Sequence, residues 1–115
     1  MDLRMQIIFY RTPAGQEPVR EYLLGLPLRD RAAAADVLDA IREHGLHAPG
    51  VRFKQIRGKL WEFYIEAGAS HRTFYVVVTG PMMVLLHSYK KQNQKAPARE
   101  IKIAEHRVKE VLHES

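Results

Sequence analysis

The chain has 115 residues, a formal net charge of +5 and a 46% hydrophobic content, enough to bury one core in one domain. It has no cysteine, which excludes disulfides and thiolate zinc sites and fits a reducing cytoplasm. No apolar run approaches the ~20 residues of a membrane span, and the opening residues lack the long apolar stretch of a secretory leader, so a soluble cytoplasmic protein with no membrane partner is expected.

Residues 4–10 read as a strand, with Met5, Ile7 and Phe9 on one face and Arg4, Gln6 and Ile8 on the other. Thr12-Pro13-Ala14-Gly15 is a turn. Pro18 suits the first turn of a helix, where its missing N–H costs nothing. Val19, Tyr22, Leu23 and Leu26 supply the apolar stripe of that helix, and Gly25 and Pro27 punctuate its end. A second helix is expected over about 28–44, from Ala34, Val37, Leu38 and Ile41 at helical spacing and the high propensity of Ala32 to Ala35. Gly45 is well placed to stop it in the left-handed conformation. Few residues join the two helices, so they read as an antiparallel hairpin, and residues 44–50 read as a loop.

The next forty residues are β. A short strand over 52–56 turns at Gly58-Lys59 into a strand over 60–66, where Trp61, Phe63 and Ile65 alternate with Glu62, Tyr64 and Glu66. That alternation predicts one buried and one wet face, with Trp61 in the core. Residues 67–70 form a hairpin loop, 71–79 the partner strand, and Gly80-Pro81 the next turn. Residues 82–89 begin apolar on both faces, as expected for a central strand covered on both sides. Pro97 opens a last helix with the stripe Ile101, Ala104, Val108, Val111 and Leu112. The order β-α-α-β-β-β-β-α predicts an α+β fold forming a single domain over 1–115. It has a twisted, mostly antiparallel sheet, the helical hairpin packed on one face, and a C-terminal helix.

The positive charge is confined to one segment. Residues 52–95 hold eight Lys/Arg against two acids, while 1–51 and 96–115 are close to neutral. A local basic field carried on strands favours a polyanion such as nucleic acid; a merely basic soluble surface is the plainer alternative. The six histidines include no metal-ligand pair with partners, and His44-x-x-His47 straddles a helix end, so no metal and no cofactor are expected.

Within this segment the order of residues is recognisable. It contains Lys54-Gln55-Ile56-Arg57-Gly58-Lys59-Leu60-Trp61-Glu62, then Arg72-x-Phe74-Tyr75, then Leu86-His87-Ser88-Tyr89-Lys90-Lys91 with Lys95-x-Pro97, and a terminal helix with Glu100, Ala104 and Arg107. This resembles the RelE/ParE superfamily of bacterial toxins, in its HigB-like, phage-derived branch. The resemblance implies a RelE-like fold and the toxin of a type II toxin-antitoxin system, a ribosome-dependent mRNA endoribonuclease that inhibits translation. It also implies a cognate antitoxin, of helix-turn-helix type, through which alone operator DNA would be met. The arginine at the position of Arg72 would stabilise the reacting phosphate, and Lys54, Tyr89, Lys90 and Lys91 would line the cleft. Some branches place a histidine base near the end of the last strand, where this chain has His87-Ser88-Tyr89-Lys90-Lys91. The alternatives are a ParE-like DNA gyrase inhibitor and a non-catalytic phage-derived binding module.

RNA can be cleaved without a metal when its own 2′-OH attacks the adjacent phosphorus. The step needs a base, an acid and donors for the growing phosphoryl charge, each such donor being worth ~2.7–4 kcal/mol. Arg72 is the first candidate, because a guanidinium is a rigid, permanently charged fork; its structural alternative is an ion pair to Glu62 on the neighbouring strand. Alternation puts His87, Tyr89 and Lys91 on one face and Ser88 with Lys90 on the other. His87 is then a candidate base or a core histidine, Tyr89 a stacking platform or proton donor, and Lys90 or Lys91 a base, an acid or a solvated charge. Lys54, Arg57 and Lys59 are candidate RNA contacts or a basic loop. Glu62 and Glu66 would orient cations or face water.

Overall fold

In the computed structural model, which describes residues 4–93 and 95–113, the elements follow the expected order. They are β1 (Gln6–Phe9), α1 (Pro18–Leu24), α2 (Leu28–His44), β2 (Phe53–Arg57), β3 (Leu60–Glu66), β4 (Ser70–Val78), β5 (Met82–Lys90) and α3 (Ala98–Leu112), with a turn of 3-10 helix at Gly45–His47. The five strands form one sheet in the order β1-β5-β4-β3-β2. Only β1 pairs in parallel, along β5, and the β2–β3, β3–β4 and β4–β5 pairs are antiparallel. The expected α+β class is the one observed.

Both faces of the sheet are covered, which is why β5 is apolar on both sides. The α1–α2 hairpin packs Val19, Leu23, Ala34, Leu38 and Ile41 onto Phe63, Ile65, Tyr75, Met83 and Leu85. On the other face α3 packs Ala104 and Val108 onto Leu60, Phe74, Val76, Val84, Leu86 and Tyr89. Each large apolar side chain so buried contributes about 1.5–3 kcal/mol. The stop after α2 differs from the simple expectation. Gly45 has φ 61° but ψ −137°, a positive-φ conformation outside the left-handed helical well that glycine reaches without a Cβ clash.

Two expectations on β3 are reversed. Trp61 is 37% exposed and Glu62 only 3%. The helical hairpin covers Phe63 and Ile65 but leaves Trp61 outside its core. On the other face, side chains from three neighbouring strands close over Glu62. Alternation decides which face a residue joins, and coverage of that face decides whether it is wet.

Two irregularities decide what joins what. In β5, Phe74 opposes His87 but Tyr75 opposes Leu85, so Leu86 is an extra residue. A bulge of this kind inverts every side chain beyond it. Leu86 and His87 therefore both serve the α3 face, and Tyr89 follows them there, stacked on Phe74 with ring centroids 5.4 Å apart. Arg107 of α3 caps the kink by donating from Nη1 to the Leu86 carbonyl at 2.7 Å. In β2 a second shift between Gln55 and Arg57 turns Arg57 toward α3, where its guanidinium meets Glu105 at 3.1 Å. Among the described residues no helix is long and apolar enough to cross a membrane.

Candidate functional site

Strand register builds the site in two rows on the α3 face. Lys54, Glu62, Phe74 and His87 lie opposite one another across β2, β3, β4 and β5, and Tyr64, Arg72 and Tyr89 form the adjacent row. Residues diagonal to one another in such rows remain within reach of long side chains. Lys54, Arg72, Lys91 and the Tyr89 hydroxyl thus all act on the Glu62 carboxylate, from three different strand neighbourhoods. Lys91 is held just past β5 by its backbone N–H, which donates to the Ser70 carbonyl at 2.8 Å.

Arg72 is 5% exposed. Its guanidinium carbon lies 3.7 Å from the Tyr64 ring centroid, a cation–π contact strengthened by desolvation. Its Nη1 donates to Ser70 Oγ at 2.8 Å, to Glu66 Oε1 at 3.1 Å and to the His71 carbonyl at 3.1 Å. The direct ion pair is therefore with Glu66, which also faces Arg52 at 3.5 Å, rather than with Glu62. The guanidinium is fixed before any ligand arrives. It borders an open depression of about 450 Å³ together with Ser70, Lys91, Gln92 and Asn93.

Glu62 is the residue that sequence reasoning undervalued. Burial pushes its carboxyl above the ordinary value, and Arg72, Lys54, Lys91 and Tyr89 pull against that shift. Its Oε1 is buried without a hydrogen-bond partner. A buried acceptor left unpaired costs about 1–3 kcal/mol, and such an atom calls for an explanation, whether a catalytic role or a bound water or ion. The only signal in the sequence was its direct flanking by cationic strands; alternation alone assigned it to water.

The remaining candidates lie elsewhere. Lys90 is exposed and lines a neighbouring depression with Tyr22 and Arg99. Arg57 and Lys59 border a separate groove beside Leu60, Glu105 and Lys109, of about 300 Å³. His87 is parallel to the Phe74 ring at 6.3 Å, and its Nε2 lies 2.8 Å from Glu100 Oε1. Its imidazole is committed to α3 and does not reach the Arg72–Glu62 group. Glu100, Ala104 and Arg107 of the terminal motif accordingly clamp α3 to the bulge.

His87 provides a pH test of this clamp. Burial lowers its pKa, against the opposing pull of Glu100. Below the unfolded-chain value of about 6.5 the unfolded state then binds more protons than the folded state. Stability present at neutral pH is therefore lost as the pH falls through that range. Urea unfolding at pH 7.5 and 5.5 is expected to show this loss, and to show a smaller loss in His87→Gln. An unchanged pH dependence in the variant would refute it.

A second polar network is buried under the helical hairpin. Asp30, 4% exposed, accepts from the backbone N–H groups of Gly68 and Ala69, both at 3.0 Å. It also sits 2.8 Å from His71 Nε2, while His71 Nδ1 lies 2.8 Å from the Tyr22 hydroxyl. These bonds hold the Asp30 carboxyl below its usual range, the His71 bond foremost. Gly68 has no room for a side chain, since a Cβ would stand 2.8 Å from Asp30 Oδ1. Among the described residues no group of three or more His, Cys, Asp or Glu is placed to hold a metal.

Chemically, the group combines a poised carboxylate, a fixed guanidinium, two ammoniums and a phenol. That set can receive a phosphodiester and move a proton at it. No curated protein matches the chain. Residues 21–109, from α1 to within α3, match the family model described as "Phage derived protein Gp49-like (DUF891)". The chain belongs to the Gp49-like family of phage-derived, toxin-like proteins.

Proposed function

We propose that this protein is the toxin of a type II toxin-antitoxin system, a RelE/HigB-like endoribonuclease that cuts mRNA on the ribosome and so arrests translation. The observation that carries the reading is the gathering of Arg72, Lys54, Lys91 and Tyr89 about one buried carboxylate with an unpartnered oxygen. A module that only binds a protein has no need to hold such an acceptor unpaired.

In this reading a scissile phosphate enters at Arg72 and competes with Glu62 for the two lysines. Their long stems swing toward it. Each ammonium drawn away raises the proton affinity of Glu62 and uncovers Oε1, so the carboxylate becomes a better base as substrate binds. Glu62 then takes the proton of the 2′-OH. The 2′-oxygen attacks phosphorus, the bond to the 5′-oxygen breaks, and Tyr89 or Lys91 returns a proton to the leaving oxygen. The products are a 2′,3′-cyclic phosphate and a 5′-hydroxyl. Arg72 stabilises the charge that grows on the phosphoryl oxygens, where a donor already fixed by Tyr64, Glu66 and Ser70 is most effective. A cognate antitoxin is the partner this role requires.

Primer extension on mRNA after induced expression tests the assignment. Discrete cuts that require translation support it. Growth arrest with a DNA-damage response and no cuts would replace it with gyrase inhibition, and the absence of any growth defect would replace it with a binding module.

Docking should also depend on salt. With about three or four cations meeting single-stranded phosphates, log K is expected to fall with log salt with a slope of about −2 to −3. Fluorescence anisotropy with a 2′-O-methyl RNA from 50 to 300 mM salt measures it, and a flat response would remove the cationic group from the docking surface.

A further inference from the structure

The depression beside Lys90 is unused by the cleavage scheme, yet it adjoins it. It holds about 360 Å³, at the lower end of the ~300–1,000 Å³ typical of small-ligand sites. Tyr22, Tyr89, Lys90, Gln92, Asn93 and Arg99 line it. Gln92 and Asn93 also border the depression at Arg72 and Lys91, so the two share a rim. The shared rim gives a strand held at Arg72 a path into this depression.

The lining has the chemistry of a base and its phosphate. Carboxamides present a donor and an acceptor side by side, matching the edge of a nucleobase. A tyrosine ring offers a face on which any base stacks. Arg99 and Lys90 are exposed cations at the mouth. Ser88 is engaged with Thr73 at 2.8 Å and Glu100 with His87, which leaves the amides as the groups free to read an edge.

The buried network under the hairpin explains why this wall is rigid. With the Asp30 carboxylate as acceptor, His71 donates from Nε2, and its Nδ1 is paired with the Tyr22 hydroxyl. Tyr22 cannot turn away without leaving a buried imidazole nitrogen unpaired. The far end of the same chain, at Gly68 and Ala69, immediately precedes Ser70, which holds Arg72 Nη1. One run of hydrogen bonds thus fixes both the wall of this depression and the loop that aims the arginine.

We infer that this depression is the subsite for the nucleobase next to the cleaved linkage. Tyr22 is its stacking wall, Gln92 and Asn93 read the base edge, and Arg99 with Lys90 holds the adjoining phosphate. Its place in sequence selection rests on the RNA-cleavage reading; binding of an oligonucleotide there does not.

The test is a titration of isotope-labelled full-length protein with four 2′-O-methyl homotrinucleotides, which bind but cannot be cleaved. Amide shifts are expected at residues 88–93 and around Tyr22, with affinities for the four bases spread over about fivefold or more. Gln92→Ala should collapse the spread. Arg99→Ala, at an exposed position where misfolding is no explanation, should weaken all four about tenfold without changing their order. Absence of shifts at Tyr22 and Gln92 up to millimolar ligand, or shifts with no discrimination that Gln92→Ala leaves unaltered, overturns the inference. If these trinucleotides bind as described but ribosome-bound mRNA is never cut, the subsite stands and the cleavage reading falls. If mRNA is cut, and Gln92→Ala and Tyr22→Phe/Gln92→Ala proteins keep the wild-type spectrum of cut sites and trinucleotide affinities, the cleavage reading stands and the subsite falls.

Discussion

Arg72→Lys is expected to abolish growth arrest and to lower RNA cleavage about 10²–10³-fold, the usual effect of removing one preorganised donor from a reacting anion. The substitution keeps a positive charge, so the loss isolates geometry. A lysine at this position cannot reproduce the planar fork that lies flat on Tyr64 while donating to Ser70, Glu66 and the His71 carbonyl. Arg72→Ala should be at least as inactive, and it carries a stability cost because it uncovers Tyr64 and leaves Glu66 with Arg52 and Ser70. Since Glu66 is half exposed and can turn to water, that cost should stay near 1–2 kcal/mol and leave a folded protein. Circular dichroism with a cleavage assay on programmed ribosomes separates the two effects. A folded Arg72→Lys protein that cuts at the wild-type rate would remove the arginine from the reaction.

Glu62→Gln is the second large effect, and activity and stability should move in opposite directions. As the general base, Glu62 accounts for about 10²–10⁴ in rate, so the amide should be almost inert. Stability follows the sign of the pKa shift. Burial raises the folded-state value of Glu62 above the unfolded one. Between those two values the folded state holds more protons than the unfolded state, and stability falls as pH rises through the window. The cost is present in full once the pH exceeds the folded-state value. Replacing the carboxylate by a neutral amide relieves it, for an expected gain of about 0.5–1 kcal/mol at pH 7.5. The cations lose little, since Lys54 is exposed and Arg72 keeps Glu66. A counter-ion that merely held the lysines together would behave the other way, with cleavage kept and stability lost. The acidic limb of the kcat/KM profile should lie above the ordinary carboxylate range in the wild type.

The fold was largely legible because its signals are local. The 3.6-residue spacing of Ala34, Leu38 and Ile41 marked α2, and Gly58 and Gly80 marked turns that the chain does make. A β5 apolar on both faces was readable as a strand sandwiched between helices, as it is between α1–α2 and α3. Boundaries moved by a residue or two, as strand ends do when pairing rather than propensity sets them. Arg72, Tyr89, Lys54 and Lys91 were legible as candidates from residue order. The jobs of His87, Glu62 and Asp30 were not, since each depends on a partner distant in the chain: Glu100, the cations of three strands, and the loop at Gly68.

Element order and the sandwiched strand thus followed from composition, spacing and turn chemistry, which act between near neighbours, while the cationic residues became candidates through the resemblance in residue order. The meeting of those cations followed from neither. A strand repeats every two residues, so strict alternation through Leu85-Leu86-His87 would send Tyr89 beneath the helical hairpin. The one extra residue at Leu86, capped by Arg107 from α3, returns it to the face of Arg72 and Glu62. No residue nearby in sequence encodes that inversion; Arg107, 21 residues further on, satisfies the Leu86 carbonyl at the bulge.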